Sequence, residues 1–224
     1  MISRIGNTVL VVCAVILTSL VVRKELFVGA PVARRTAGEW REVRDWRSYS
    51  TSGERLGRSD APVTIVVFGD FECPACRALT AVLHELLERR ASDVSVRYRH
   101  MPLPIHRFAE AAALASACAS RQGKFAEMYD SLYAGQRSFG LRSWTDFALA
   151  AGVADTGVFG RCTRDSSTAN LIGEDRAAYE RLGATGTPTL VAGSHAFTGV
   201  PTLRMLDSLV DSQLRASVAD RRER

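Results

Sequence analysis

The apolar positions of this chain change period from one stretch to the next, and those changes mark out its elements. Val63 to Phe68 is a run of β-branched and apolar residues, the pattern of a strand buried on both faces of a sheet. Leu79, Val82, Leu83, Leu86 and Leu87 then recur at helical spacing and end near Arg89-Arg90. Val94, Val96 and Tyr98 alternate with polar residues and predict a second strand, closed by Met101-Pro102-Leu103-Pro104. Strand, helix and strand in this order make a βαβ unit, so the sheet is expected to contain a parallel pair.

Residues 106 to 182 read as helical almost without interruption. Phe108, Ala111, Ala115 and Cys118 mark one amphipathic stretch, and Phe125, Met128, Tyr129 and Leu132 mark another. Ser143 with Asp146 three residues later is a capping-box pattern ahead of Phe147 and Leu149, with Gly152 as a stop. A last helix is predicted over Asn170 to Leu182, stopped by Gly183. Gly186 to Ala192 returns to strand character, and Gly193-Ser194 supplies turn chemistry before Ala196-Phe197-Thr198, so a hairpin follows. Leu203, Leu206, Val210 and Leu214 line one side of a closing helix.

The N-terminus differs in character. Val9 to Val22 is fourteen residues with only Thr18 and Ser19 polar, preceded by Arg4 and followed by Arg23-Lys24. That length lies between a signal-peptide core and a short membrane span. Residues 1–22 are therefore expected to form an uncleaved membrane anchor, with cleavage near Gly29 and Ala30 as the alternative. Residues 23–58 are rich in Arg, Glu, Ser and Gly and read as a polar tether, with room for a short helix around Glu39 to Arg47. The folded body is expected over residues 59–218, and 219–224 as a basic tail.

With 46% hydrophobic residues the chain can bury a proper core, which excludes a disordered polymer. The net charge of +5 is spread along the sequence rather than gathered into a basic stripe with interleaved aromatics, so nucleic acid is not an expected partner.

The chemistry centres on Cys73-Pro74-Ala75-Cys76, between the first strand and its helix. That position puts the Cys73 sulfur at a helix N-terminus, where unpaired N–H groups and the helix dipole favour a thiolate. Two cysteines three apart on one turn can close and reopen a small disulfide. Half of a zinc site has the same spacing, but zinc needs two more ligands. Cys13, Cys118 and Cys162 are isolated, and His84, His100, His106 and His195 never pair at ligand spacing. No metal is expected. Cys118 and Cys162 both fall on apolar helical faces; in an oxidising compartment they would be bridged, for about 4 kcal/mol by loop-closure entropy, and otherwise they are two buried thiols. Cys13 reads as a small hydrophobe within the apolar segment.

In the order strand, CxxC, helix, strand, helical insertion, Thr-Pro, hairpin and helix, the chain resembles the DsbA-like disulfide oxidoreductases of thioredoxin fold. It is most similar to their membrane-tethered bacterial branch, with Asp70-Phe71-Glu72-Cys73-Pro74-Ala75-Cys76 as the active-site motif. Arg99-His100-Met101-Pro102-Leu103, Gln122-Gly123-Lys124-Phe125 and Gly186-Thr187-Pro188 match as well. The resemblance implies an α/β thioredoxin fold whose helical insertion, about residues 106–182, separates a βαβ half from a C-terminal ββα half. It also implies that Pro188 is cis and lies against the CxxC, with Thr187 pairing extended substrate by strand addition. No cofactor is implied.

Four positions bear on redox tuning: Asp70, Glu72, Pro74 and Ala75. Ala75 stands where strong oxidants of the family carry a histidine, and Glu72 adds a negative charge opposing ionisation of Cys73. Val67 occupies the place of the buried carboxylate of thioredoxins; Asp70 either takes over that proton-transfer role or forms a turn. Cys73 is expected to be the exposed sulfur and Cys76 the buried resolving thiol. The expected activity is oxidation of cysteine pairs in exported proteins through a Cys73/Cys76 cycle, with a membrane quinone-linked partner restoring the disulfide. Such a protein would be held at the cell membrane by its N-terminal segment, with its body in the periplasm or an equivalent extracytoplasmic space. Alternatives are a reductase or isomerase of the same compartment, and a copper-assembly or chaperone-like module on the same fold.

Overall fold

The computed structural model describes residues 38 and 40–223. The expected membrane segment Val9–Val22 and the first part of the tether lie outside these residues. Among the described residues no helix is long and apolar enough to cross a membrane.

In chain order the elements are β1 (Arg41–Glu42), β2 (Glu54–Gly57), β3 (Val63–Gly69), α1 (Pro74–Arg89), β4 (Val94–His100), α2 (Ala109–Ser120), α3 (Phe125–Ala134), α4 (Trp144–Ala150), α5 (Thr156–Cys162), α6 (Ser166–Leu182), β5 (Thr189–Ala192), β6 (His195–Thr198) and α7 (Leu203–Glu223). The strands form one sheet in the order β1-β6-β5-β3-β4-β2. β3 runs parallel to β4, from Val63 opposite Val94 to Gly69 opposite His100, and antiparallel to β5. Side chains alternate across a strand, and β3 shows why its sequence has no polar face. Ile65 and Val67 enter a core shared with α1, α7 and the insertion, while Val66 and Phe68 enter a second core with Ala178, Tyr179 and Leu182 of α6.

The sheet is wider than the hydrophobic pattern predicts. Residues assigned to the tether supply both edges: β2 pairs with β4 and β1 with β6. In place of the expected short helix over Glu39 to Arg47 there is a two-residue strand and then a 3-10 turn at Trp46–Ser50. Val43, Tyr49 and Leu56 are each buried singly between neighbours that are not buried, a spacing too sparse to register as a period. The folded body therefore begins before residue 59, and α7 continues to Glu223 through most of the expected basic tail.

The insertion is five helices. Ser143 caps α4 by accepting from the Asp146 amide at 3.1 Å. α6 starts at Ser166 rather than Asn170 because Asp165 caps it, accepting from the Ser167 amide, and it stops at Gly183 in the left-handed conformation, φ 64°. Cys118 of α2 and Cys162 of α5 are joined by a disulfide across a sequence separation of 44. β5 begins at Thr189, later than the Gly186 expected, and the Thr187-Pro188 peptide before it is cis.

Candidate active site

β3 delivers the chain to the site at Gly69. A Cβ at Gly69 would come 2.5 Å from the Tyr98 ring, so glycine is what lets the tyrosine lie against the strand end. The next three residues turn the chain into α1, with the Cys73 amide donating to the Asp70 carbonyl at 3.1 Å. Cys73 is the N-cap of α1 and Pro74 its first residue, a position where proline suits a helix because its φ is preset and no N–H is lost.

Cys73 and Cys76 are unbridged thiols, and their surroundings pull them apart. The Cys73 thiol is lowered to about 5 by a hydrogen bond from Cys76, against the cost of burial; Thr187 and the Cys76 and Ala75 amides add to the lowering. Burial pushes the Cys76 thiol up, reinforced by the neighbouring Cys73, with the Asp70 amide pulling the other way. That amide lies 3.4 Å from the Cys76 sulfur. The result is one ready nucleophile and one thiol that holds its proton. Cys73 is less open than expected, 7% exposed against 2% for Cys76, because the Thr187 carbonyl sits 3.3 Å above its sulfur. Thr187, the residue before the cis Pro188, thus does meet the CxxC.

The other tuning residues are accounted for by geometry. Asp70 accepts from the Glu72 amide at 2.7 Å and from the Leu103 amide at 2.8 Å, and its second oxygen also meets His106 Nδ1 at 2.7 Å. These bonds hold the turn between β3 and α1. The Glu72 carboxylate accepts from the Phe108 amide, so it ties the turn to the start of α2 rather than lying free beside Cys73. Pro74 is exposed and Ala75 half-buried; of the two, Ala75 contributes a backbone donor to Cys73.

Several residues given no role by the sequence lie at the site. Gln136, in a 3-10 turn after α3, donates to the carbonyls of Phe71 at 2.8 Å and Cys73 at 3.1 Å. Tyr129 and Tyr133 have ordinary core spacing, yet their hydroxyls are used: Tyr133 bonds Tyr98 at 2.8 Å and donates to the Asp70 carbonyl at 3.3 Å, and Tyr129 meets Thr80 at 3.2 Å. Phe71 lies 4.9 Å from the Tyr133 ring and 5.2 Å from that of Tyr98. His100 is buried against Phe71, Tyr98 and Phe125 with neither ring nitrogen bonded, and burial lowers its pKa against the pull of Asp175.

A family model described as thioredoxin matches residues 50–212. The chain is 34% identical over 149 residues to the Na(+)/H(+) antiporter NhaA 1 of Mycolicibacterium gilvum, covering 64% of this chain and 24% of that protein. It spans about a quarter of the length of the curated antiporters it matches. It is also 26% identical over 179 residues to a probable disulfide bond formation protein D of Bacillus cereus, covering 75% of this chain and 81% of that one. Among solved structures, a thioredoxin-like oxidoreductase from Silicibacter pomeroyi superposes with a TM-score of 0.65 at 25% identity, covering 77% of this chain and 98% of the other.

Proposed function

The chain belongs to the thioredoxin family, in the DsbA-like form with helices inserted between the two halves of the fold, and from that premise we propose that it oxidises cysteine pairs in exported proteins. Its chemistry is thiol-disulfide exchange. The direction is argued from the Cys73 thiol, lowered to about 5. Whatever stabilises the thiolate stabilises the reduced enzyme, and a stabilised reduced form makes the disulfide form the stronger oxidant.

In the oxidising direction a substrate thiolate attacks the Cys73 sulfur of the Cys73–Cys76 disulfide. The bond between the two enzyme sulfurs breaks, Cys76 leaves and takes up a proton, and a mixed disulfide joins Cys73 to substrate. A second substrate thiol gives up its proton and attacks its own bonded partner; Cys73 departs as the thiolate. Two electrons have passed from substrate to enzyme. A membrane quinone-linked partner would accept them and restore the disulfide. The Thr187 carbonyl beside Cys73 offers extended substrate an acceptor for strand-like pairing whatever its side chains.

An extracytoplasmic location is favoured by the Cys118–Cys162 bridge, since such bonds persist where thiols are not kept reduced, and by the apolar run Val9 to Val22, read as the anchor. A reductase of the same compartment is the second reading, favoured by Ala75 in place of a side-chain donor to Cys73.

Replacing Cys76 by Ser removes the resolving thiol, so in cells Cys73 should accumulate mixed disulfides with exported proteins that dissolve on reduction. An absence of such adducts would overturn the exchange itself. A reduction potential near −270 mV or below, the range of thioredoxin, would instead move the protein to the reductase reading.

A further inference from the structure

One residue touches both halves of the dithiol and is itself held from outside the motif. Asp70 donates its amide to the Cys76 sulfur at 3.4 Å and accepts the Cys73 amide on its carbonyl at 3.1 Å. Its carboxylate is fully covered, while the His106 ring bonded to it at 2.7 Å is 18% exposed. The carboxylate also accepts the Glu72 and Leu103 amides. With the carboxylate accepting, Nδ1–H of His106 is the donor in this contact.

We propose that His106, which lies in the loop between β4 and α2, is a positioning residue for thiol exchange that acts on Cys73 and Cys76 through Asp70. The inference rests on the reading of these cysteines as the exchanging pair. The Asp70 amide orients the Cys76 thiol, whose hydrogen bond is the leading stabiliser of the Cys73 thiolate. The imidazole N–H fixes the carboxylate that shapes this turn. Without it, the second oxygen of Asp70 keeps a single donor, the Leu103 amide. The turn then loosens: the Asp70 amide loses part of its alignment on Cys76, and the Cys76 thiol part of its alignment on Cys73. That change disfavours the reduced, ionised state, so the protein becomes a weaker oxidant. Sequence spacing did not show this, because thirty-six residues separate the partners.

The test is equilibration of the purified protein with glutathione buffers, together with a titration of Cys73 by thiolate absorbance. His106→Ala should shift the equilibrium at least tenfold toward the oxidised enzyme, about 30 mV for a two-electron couple, and Cys73 should titrate at higher pH. His106→Asn places an amide N–H near the position of Nδ1 and should stay within about threefold of the wild type. In an Asp70→Asn background the alanine substitution should have no further effect, since its route is gone. An alanine variant within threefold of the wild type, equal shifts in the alanine and asparagine variants, or an undiminished shift in the Asp70→Asn background would each overturn the proposal. A wild-type protein that never equilibrates with glutathione would instead overturn the oxidoreductase reading, and this inference with it.

Discussion

Gln136 reaches from the helical insertion to the Cys73 carbonyl, 3.1 Å from its side-chain nitrogen, and holds the Phe71 carbonyl with the same group at 2.8 Å. The Cys73 carbonyl has a second donor in the Arg77 amide, 3.1 Å away. The Phe71 carbonyl depends on the glutamine. Gln136→Ala should therefore leave one acceptor of a buried residue unpaired, at a cost of about 1–3 kcal/mol. Gln136→Glu, which has no donor and adds charge, should cost at least as much. Urea unfolding checks this through a lower midpoint at unchanged slope; equal midpoints for all three proteins would show that the link carries no energy.

The acidity of Cys73 makes the stability of the reduced protein depend on pH. An ordinary cysteine titrates at about 8.5, and folding lowers Cys73 to about 5. Between those values the native state binds fewer protons than the unfolded chain, so stability rises with pH across that window. The contribution is complete above the unfolded value and is lost as pH falls through about 5. Cys76 has the opposite sign: its raised pKa takes stability away once pH exceeds the unfolded value. The disulfide form has neither thiol. The unfolding midpoint of the reduced protein should therefore rise relative to that of the oxidised protein from pH 5 to pH 8, and Cys73→Ala should remove the slope.

Much of this site was legible because its chemistry is local. Cys73, Pro74 and Cys76 stand on one turn, and the apolar run of β3 followed by helical spacing places that turn at a helix start. What stayed hidden joins distant segments. His106 and Gln136 are single polar residues in irregular stretches, where no period gives them a direction, and only the packing of the insertion brings them to residues 70–73. The edge strands were hidden for a related reason. β1 and β2 are set by pairing with strands already in place; β1 buries no side chain and β2 buries Leu56, so their own residues carry almost no pattern. Asp70 is the intermediate case: its motif position flagged it, but two of the three donors to its carboxylate, Leu103 and His106, come from a distant loop.

The disulfide between Cys118 and Cys162 joins α2 to α5 within the insertion. With 44 residues of sequence separation, its loss should destabilise the protein by about 4 kcal/mol on the chain-entropy estimate. The double substitution Cys118→Ala, Cys162→Ala should lower the thermal midpoint while the glutathione equilibrium of Cys73 and Cys76 stays as in the parent, because neither bridge cysteine bonds a site residue. A shift in that equilibrium would show that the insertion tunes the thiols through the bridge.

The ion pair of Arg99 with Asp175 fastens α6 to the end of β4, next to the site. Arg99 Nε lies 2.6 Å from one oxygen of Asp175, and the other oxygen accepts the His100 amide at 2.7 Å; the two side chains are 5% and 10% exposed. Removing one member of a pair this deep strands the other charge, which typically costs about 3–5 kcal/mol, whereas replacing both with apolar groups is often neutral. Asp175→Ala should fall in that range, since it also orphans the His100 amide. Asp175→Asn keeps an acceptor for that amide and should cost less. Arg99→Met combined with Asp175→Leu should recover part of the loss but not all of it, because the His100 amide still lacks its acceptor. Unfolding free energies of the four proteins decide the matter: if the double variant is no more stable than Asp175→Ala alone, the stranded guanidinium was not the source of the cost.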